Sequence, residues 1–214
     1  AIDAEAETFA TLEALNCGKP RIRVLQDEMP GVTDCFRFFA GAVRNMHGPV
    51  AGEYMAGHTS MIRRDPVGVI GSIAPWNYPL MMAAWKLAPA LAGGNTIVIK
   101  PSEQTPLTTL KLAKVIAGIF PEGVANVVTG RGATTGHALI SHPKIAMVSL
   151  TGSIDTGKKV LQAASATIKR THLELGGKAP VIVFADADLD QAVLGSVFGI
   201  YLAQGEVCSA GSRV

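Results

Sequence analysis

The chain has 214 residues, 48% of them hydrophobic and 17% charged, a composition that can bury a core and excludes a disordered tail. The formal charge is +2 and no basic cluster exceeds Arg63-Arg64, which excludes a nucleic-acid footprint and an electrostatic membrane anchor. The three cysteines, Cys17, Cys35 and Cys208, include no CxxC pair, which argues against a disulfide framework or a structural zinc site and favours a reducing, cytoplasmic setting.

Ala1 to Glu7 carries acids and no basic n-region, so it does not read as a secretory leader. Residues 2 to 15 place Ile2, Phe9, Leu12 and Leu15 on one helical face, with Gly18 and Pro20 as the stop. Val32 to Met46 reads as a second helix with Phe36, Phe39 and Val43 on its stripe, ended by Gly48-Pro49. Tyr54 to Arg64 reads as a short extended arm. Val67 to Ile73 then opens an alternation: strand, helix Pro79 to Leu91, strand Thr96 to Ile99, helix Pro106 to Ile119 with Leu107, Leu110, Ala113 and Ala117 along one face. Strand Val124 to Val128, a short helix over 133–141, strand Ile145 to Leu150 and helix Ser153 to Ala166 continue it. His172 to Gly177 reads as a strand running into a joint, and Pro180 to Phe184 as another strand. Asp186 or Asp188 caps a helix that includes Val193 to Ala203.

This order implies an α/β fold: an open, mostly parallel, Rossmann-like sheet covered by helices, followed by the beginning of a second α/β domain. The most apolar run, Pro79 to Trp85, meets Lys86 at once and is too short to span a bilayer. The chain opens inside a helical pattern and stops at Ser212-Arg213-Val214, so the expectation is a piece of a longer protein.

No GxGxxG occurs. In its place, Thr151-Gly152-Ser153 joins a predicted strand to a predicted helix. Gly152 allows a backbone turn close to a phosphate, and Ser153 fits either a phosphate donor or an ordinary N-cap. Lys100 ends a buried strand, and Glu103 follows it. The pair fits ribose contacts or, equally, a strand-end Lys with a solvated acid. An acid there repels a 2′-phosphate and so favours NAD over NADP. Gly132 and Gly136 fit a close backbone approach to an adenine or a plain turn.

Cys208 stands among small residues in Gly205-Glu206-Val207-Cys208-Ser209, which suits either a nucleophile with room for substrate or a core thiol. Glu174, flanked by Leu173 and Leu175, fits a desolvated general base or an outward edge residue. Asn77, between Pro75 and Pro79, fits a fixed amide donor to an oxyanion or a satisfied turn. Cys17 and Cys35 read as structural, and no metal ligands are assigned.

Pro75-Trp76-Asn77-Tyr78-Pro79, Lys100-Pro101-Ser102-Glu103, Leu173-Glu174-Leu175-Gly176-Gly177-Lys178 and Gly205-Glu206-Val207-Cys208 occur together, in this order. The set resembles the aldehyde dehydrogenase superfamily, with a likeness to 4-aminobutyraldehyde and betaine-aldehyde dehydrogenases around Pro75 to Pro89. The resemblance implies that Cys208 is the nucleophile, Glu174 the base, and Asn77 with the Cys208 N–H the oxyanion donors. It places Lys100 and Glu103 at the adenosine ribose, Trp76, Gly152 and Ser153 near the pyrophosphate, and Gly132 and Gly136 on the adenine side. It implies residues 1–174 as an NAD-binding domain with N-terminal helices and part of an oligomerisation arm near 54–64, and residues 175–214 as the start of a catalytic domain. A homodimer or homotetramer is expected of the complete protein.

The implied reaction oxidises an amino- or betaine-type aldehyde to the acid through a thiohemiacetal and thioester, with Trp85 facing a cationic tail or packing in the core. Succinate semialdehyde is the rival substrate. A coenzyme A-acylating enzyme and an inactive dinucleotide-binding or self-associating fragment are the rival functions. Two positions depart from the family pattern: Glu206 stands where Gln is common and Ala203 where Asn is usual. A carboxylate at 206 would oppose thiolate formation at Cys208.

Overall fold

The computed structural model describes residues 1–46 and 51–214, so the expected helix end at Gly48-Pro49 lies outside the described residues. A 3-10 turn, Asp3–Glu5, leads into α1 (Ala6–Cys17). Gly18 closes α1 at φ 76°, a left-handed cap that a residue with a Cβ resists. Phe9 of the expected stripe is fully buried, but Leu15 is 76% exposed and Glu13 is buried instead. The stripe was misplaced because Glu13 finds two donors, the Leu80 N–H at 3.2 Å and Thr108 Oγ at 2.6 Å. A carboxylate so paired can occupy a core position.

The second helix begins earlier than Val32. Residues 21–42 run as α2 (Arg21–Arg23), a π turn (Val24–Glu28) and α3 (Met29–Ala42). The Met29 N–H reaches back five residues to Val24 O, and Pro30, which has no N–H, follows directly. A proline in the first turn of α3 costs no helical hydrogen bond, so it does not stop the chain. Strands β1 (Gly52–Met55) and β2 (His58–Ser60) pair antiparallel across Gly57. The arm expected over Tyr54 to Arg64 is therefore a hairpin ending at Ser60.

The central sheet holds β3 (Val69–Ile73), β4 (Thr96–Lys100), β5 (Ala125–Val127), β6 (Ile145–Gly152) and β7 (Arg170–Leu175). All pairs are parallel, in the order β5-β4-β3-β6-β7. The connecting helices are α4 (Pro79–Ala92), α5 (Leu107–Ala117), α6 (His137–Ser141) after a π turn over Gly132–Gly136, and α7 (Ile154–Ser165). They cover both faces. Ile70, Ile97 and Ile99 pack with Phe9, Val32, Leu80, Leu87 and Leu112 on one face. Val148 and Leu150 pack with Leu139, Ile140 and Val160 on the other. Helices on both sides explain why these strands read as near-continuous apolar runs.

The buried face of α5 is not the expected one. Leu107 and Leu110 are exposed, and Thr108, Thr109, Leu112 and Ile116 face inward. Thr108 can face inward because its Oγ donates to the buried Glu13 carboxylate. The strand expected over Pro180 to Phe184 is also absent. Pro180 makes one isolated parallel bridge to Arg213, with the Val181 N–H donating to Arg213 O at 2.6 Å, and Ile182 and Phe184 are exposed. One bridge makes no ladder. Asp188, not Asp186, caps α8 (Leu189–Tyr201), its carboxylate accepting from the Gln191 N–H at 3.1 Å.

Candidate active site

The strand order reverses between β3 and β6, and an open parallel sheet keeps ligands beyond the carboxyl ends of its strands at such a reversal. Ile73 at the end of β3 is level with Lys100 of β4 and Leu150 of β6. The loop after β3 carries Trp76 and Asn77 into α4. Tyr78, at the N-cap position, gives α4 no side-chain cap. Glu13 supplies it from α1 by accepting from the Leu80 N–H. Lys19 lies 3.6 Å from the centre of the Tyr78 ring and pairs with Glu28 at 2.6 Å. The Asn77 loop is thus held from beneath by α1 and the π turn. Burial, then the Glu28 charge, pushes the Tyr78 phenol up to about 12, so it stays neutral.

Asn77 Nδ2 donates to Glu206 O at 2.6 Å, bringing the amide to the Cys208 loop. That loop turns through three left-handed residues, Ala203 at φ 46°, Gln204 at 58° and Gly205 at 80°. Asn tolerates this region better than Ala, so Ala203 carries backbone strain that the family's usual residue would relieve. Gly177 passes so close that an added Cβ would stand 3.2 Å from Cys208 O.

Burial pushes the Cys208 thiol above its ordinary value, and the hydrogen bond it donates to the Glu174 carboxylate, together with that carboxylate's charge, raises it further. The backbone N–H groups of Ser209 and Cys208 pull the other way. The carboxylate that opposes the thiolate is therefore Glu174, not Glu206, which corrects the expectation drawn from the sequence. Cys17 is pushed up to about 11, first by burial and then by Glu13, and its thiol donates to Glu13 O. Burial raises Cys35 as well.

Two cavities meet at this pair. The larger, about 790 Å³, runs from Glu174 and Cys208 between Met81 and Trp85 of α4 and Phe198 and Tyr201 of α8, to Asp27 and Glu28. The smaller, about 570 Å³, shares Met82, Trp85, Glu174 and Cys208 and continues to Lys86, Ser149 and His172. Trp85 is 54% exposed, so it walls both cavities instead of packing in a core. Trp76 is 43% exposed and lines neither.

The other candidates gather along the same carboxyl edge. Lys100 is buried at the tip of β4, where its Nζ donates to Pro101 O at 2.9 Å and lies 3.7 Å from Glu103. Burial lowers the Lys100 ammonium, and the Glu103 charge opposes the shift. Glu103 also accepts from the Gly132 N–H at 2.9 Å. Gly132 faces open space, whereas Gly136 abuts the Lys100 stem. Gly152 ends β6, and Ser153 caps α7, accepting from the Thr156 N–H at 3.2 Å.

Sequence reasoning missed Lys86, Ser149, Asp27 and Glu28. Lys86, a lone cation in an apolar helix one residue after Trp85, was a visible signal, but it was read only as the interruption of an apolar run. His172 was noted as sharing a face with Glu174, and its partnership with Ser149 was not.

A profile of the aldehyde dehydrogenase family matches residues 1–214. The chain is 47% identical to human retinal dehydrogenase 2 over 219 residues, covering all of this chain and 41% of that protein. It is 47% identical to betaine aldehyde dehydrogenase of Bacillus subtilis (strain 168) over 215 residues, covering all of this chain and 44% of that one. A solved NAD+ complex of an aldehyde dehydrogenase from Bacillus cereus superposes with a TM-score of 0.96 at 43% identity, covering 100% of this chain and 43% of that one. The chain spans less than half the length of the curated relatives it matches. It belongs to the aldehyde dehydrogenase family.

Proposed function

We propose that the complete protein oxidises an aldehyde to a carboxylic acid with NAD, Cys208 being the nucleophile. The observation that carries this reading is the meeting of Glu174 with Cys208 at the junction of two cavities, with the Asn77 amide tied to the same loop. The Cys208 sulfur adds to the carbonyl carbon. The second N–H of Asn77 Nδ2 and the Cys208 backbone N–H receive the oxygen as its charge develops. NAD, when bound, supplies the hydride acceptor. Glu174 then takes a proton from water, the oxygen adds to the thioester, and the C–S bond breaks to return the thiolate. A carboxylate beside the sulfur favours hydrolysis over transfer to coenzyme A.

The residues present fit a dinucleotide. Gly132 leaves open space beside its backbone, Lys100 and Glu103 pair at the strand tip, and the first N–H groups of α7 beyond the Ser153 cap face outward. In this reading Trp76, Gly136 and Gly152 complete the cofactor wall. Residues 1–174 form the cofactor-binding domain, and residues 175–214 begin the catalytic one.

The proposed substrate is an amino- or betaine-type aldehyde such as 4-aminobutyraldehyde. Trp85 and Tyr201 line the larger cavity, as do Asp27 and Glu28, which pair there with Arg23 and Lys19. Aromatic faces suit a cationic tail. Arg23 favours succinate semialdehyde, because it lines the same cavity, but Asp27 already engages it at 3.6 Å. The test is kcat/KM of the complete enzyme with NAD for the two aldehydes. A higher value for 4-aminobutyraldehyde is expected. A higher value for succinate semialdehyde overturns the substrate, and no turnover of either, with no acyl-Cys208 detectable, overturns the reading.

A further inference from the structure

Helices α4 and α5 both start without a cap of their own. Tyr78 precedes α4 and Pro106 precedes α5, and neither gives a side-chain bond to the first turn. The free N–H groups of a helix start need partners from elsewhere, and a proline at the first position removes one of them. Pro79 does so in α4. The next N–H, that of Leu80, donates to Glu13 Oε1 at 3.2 Å. The other oxygen of the same carboxylate, Oε2, accepts from Thr108 Oγ in the first turn of α5 at 2.6 Å. Asn16 accepts from the Leu107 N–H at 3.0 Å, and its Nδ2 donates to Gln104 O at 3.0 Å. Residues three apart share a helix face, so the last turns of α1 serve both helices at once. Glu13 and Thr108 are fully buried, which a carboxylate tolerates only with its bonds made.

The segment before α4 carries Asn77, and the segment before α5 carries Glu103 just after Lys100. The Ala74 N–H donates to Lys100 O at 3.0 Å and joins the two segments at their bases. We propose that the end of α1 positions both halves of the site. Glu13 sets the Asn77 amide against the reacting carbonyl, and Asn16 sets the Lys100–Glu103 segment against the cofactor. Neither side chain lines the cavities at Cys208, so each acts through a helix start. The inference rests on the roles proposed for Asn77, Lys100 and Glu103. An oxyanion donor works only at hydrogen-bond distance from the developing charge, so a small shift at the start of α4 reaches the chemistry.

The test uses the complete enzyme and p-nitrophenyl acetate, which acetylates the thiol without hydride transfer. The p-nitrophenolate burst then gives a rate constant per reactive thiol, whatever fraction of the sample is folded. Glu13→Ala should slow this constant by about 10-fold, a part of what losing an oxyanion donor costs. Glu13→Gln should retain it, because the amide can accept from the Leu80 N–H and donate to Thr108 Oγ. In an Asn77→Ala background, Glu13→Ala should cost nothing further, since the group it positions is gone. Thr108→Val, which unseats the Glu13 carboxylate while keeping residue 13, should slow the burst and weaken NAD together, and it carries the test if Glu13→Ala does not fold. Asn16→Ala should weaken NAD by about 5-fold in calorimetry, the size of one lost helix cap carried into binding, and slow the burst less than Glu13→Ala does. A smaller burst amplitude with an unchanged rate constant in Glu13→Ala marks a purely structural residue and overturns its role. So does a full further loss in the Asn77→Ala background, a Glu13→Gln as slow as Glu13→Ala, or a Thr108→Val with neither effect. Unchanged NAD binding in Asn16→Ala overturns the other half. If Asn77→Ala alone leaves the burst constant unchanged, the oxyanion role of Asn77 fails first and the role of Glu13 falls with it.

Discussion

Replacing Lys86 by Met should stabilise the protein at neutral pH, and the gain should shrink as pH rises. Lys86 is 8% exposed, and burial, opposed by Glu174, brings its ammonium from 10.5 down to about 8. Between these values the unfolded chain holds a proton that the folded chain has released. Stability therefore rises with pH across this window, and below about 8 the cost of the buried charge is fully present. A displacement of this size corresponds to roughly 3 kcal/mol at pH 7, and roughly 1 kcal/mol of it should vanish by pH 9. Met keeps most of the stem volume and removes the titration. It also removes the donor to Ser149 Oγ, but that hydroxyl keeps its contact with His172.

The assay is the difference in thermal midpoint between Lys86→Met and wild type, both complete proteins, in matched buffers at pH 7, 8 and 9. A variant that is more stable at pH 7, with a margin that narrows toward pH 9, is the expected result. A margin independent of pH, or a variant that is less stable at pH 7, refutes the placement of Lys86 as a desolvated cation.

Glu174→Gln should let the acyl-enzyme form and accumulate, seen as an acyl-Cys208 mass after a burst of NADH. Iodoacetamide should also label Cys208 faster at pH 7 in this variant, because one of the groups raising the thiol has gone; slower labelling would mean that Glu174 takes the thiol proton as well. Glu103→Ala should raise the NADP-to-NAD ratio of kcat/KM, although it also frees the Gly132 N–H and Lys100, and an unchanged ratio removes Glu103 as the selector. Ile168→Gly should stabilise by about 1 kcal/mol, because a β-branched residue sits at φ 54° in the turn after α7 with its side chain 91% exposed; an unchanged or lower thermal midpoint would refute that strain.

The sheet was legible because its strands are covered on both faces. Thr96 to Ile99 and Ile145 to Leu150 read as strands from apolar content alone, with no alternation needed to find them, and the strands run on to Lys100 and Gly152. The helix faces were less legible where a polar residue is buried by a specific partner. Glu13 and Thr108 bond each other across 95 residues, and nothing local to either announces it. The helix expected from Val32 starts earlier because Pro30 sits in the first turn of α3, where its missing N–H costs no hydrogen bond. Within the candidate site, Cys208 among small residues, Asn77 between prolines and Glu174 between leucines stood out as candidates because each is a chemically loaded residue in a distinctive local run. Ser149 is an ordinary serine in a strand, and its meaning depends on which residue of β7 falls opposite it.

That difference follows from how each group does its work. A nucleophile and an oxyanion donor need a particular local backbone, so proline, glycine and left-handed residues surround them and remain visible in the sequence. A buried polar contact needs only a donor and an acceptor within reach, and strands and helices far apart in the chain can provide them. The contacts of Ser149 with Lys86 and His172 join α4, β6 and β7 in this way. The same sheet that fixes Glu174 against Cys208 at its carboxyl edge fixes His172 two residues earlier on the same face. Register alone therefore sets these two side chains at a constant separation. A substitution that shifted β7 by one residue would turn both side chains onto the α7 face together, which ties the hydrolytic step to the pairing of one edge strand.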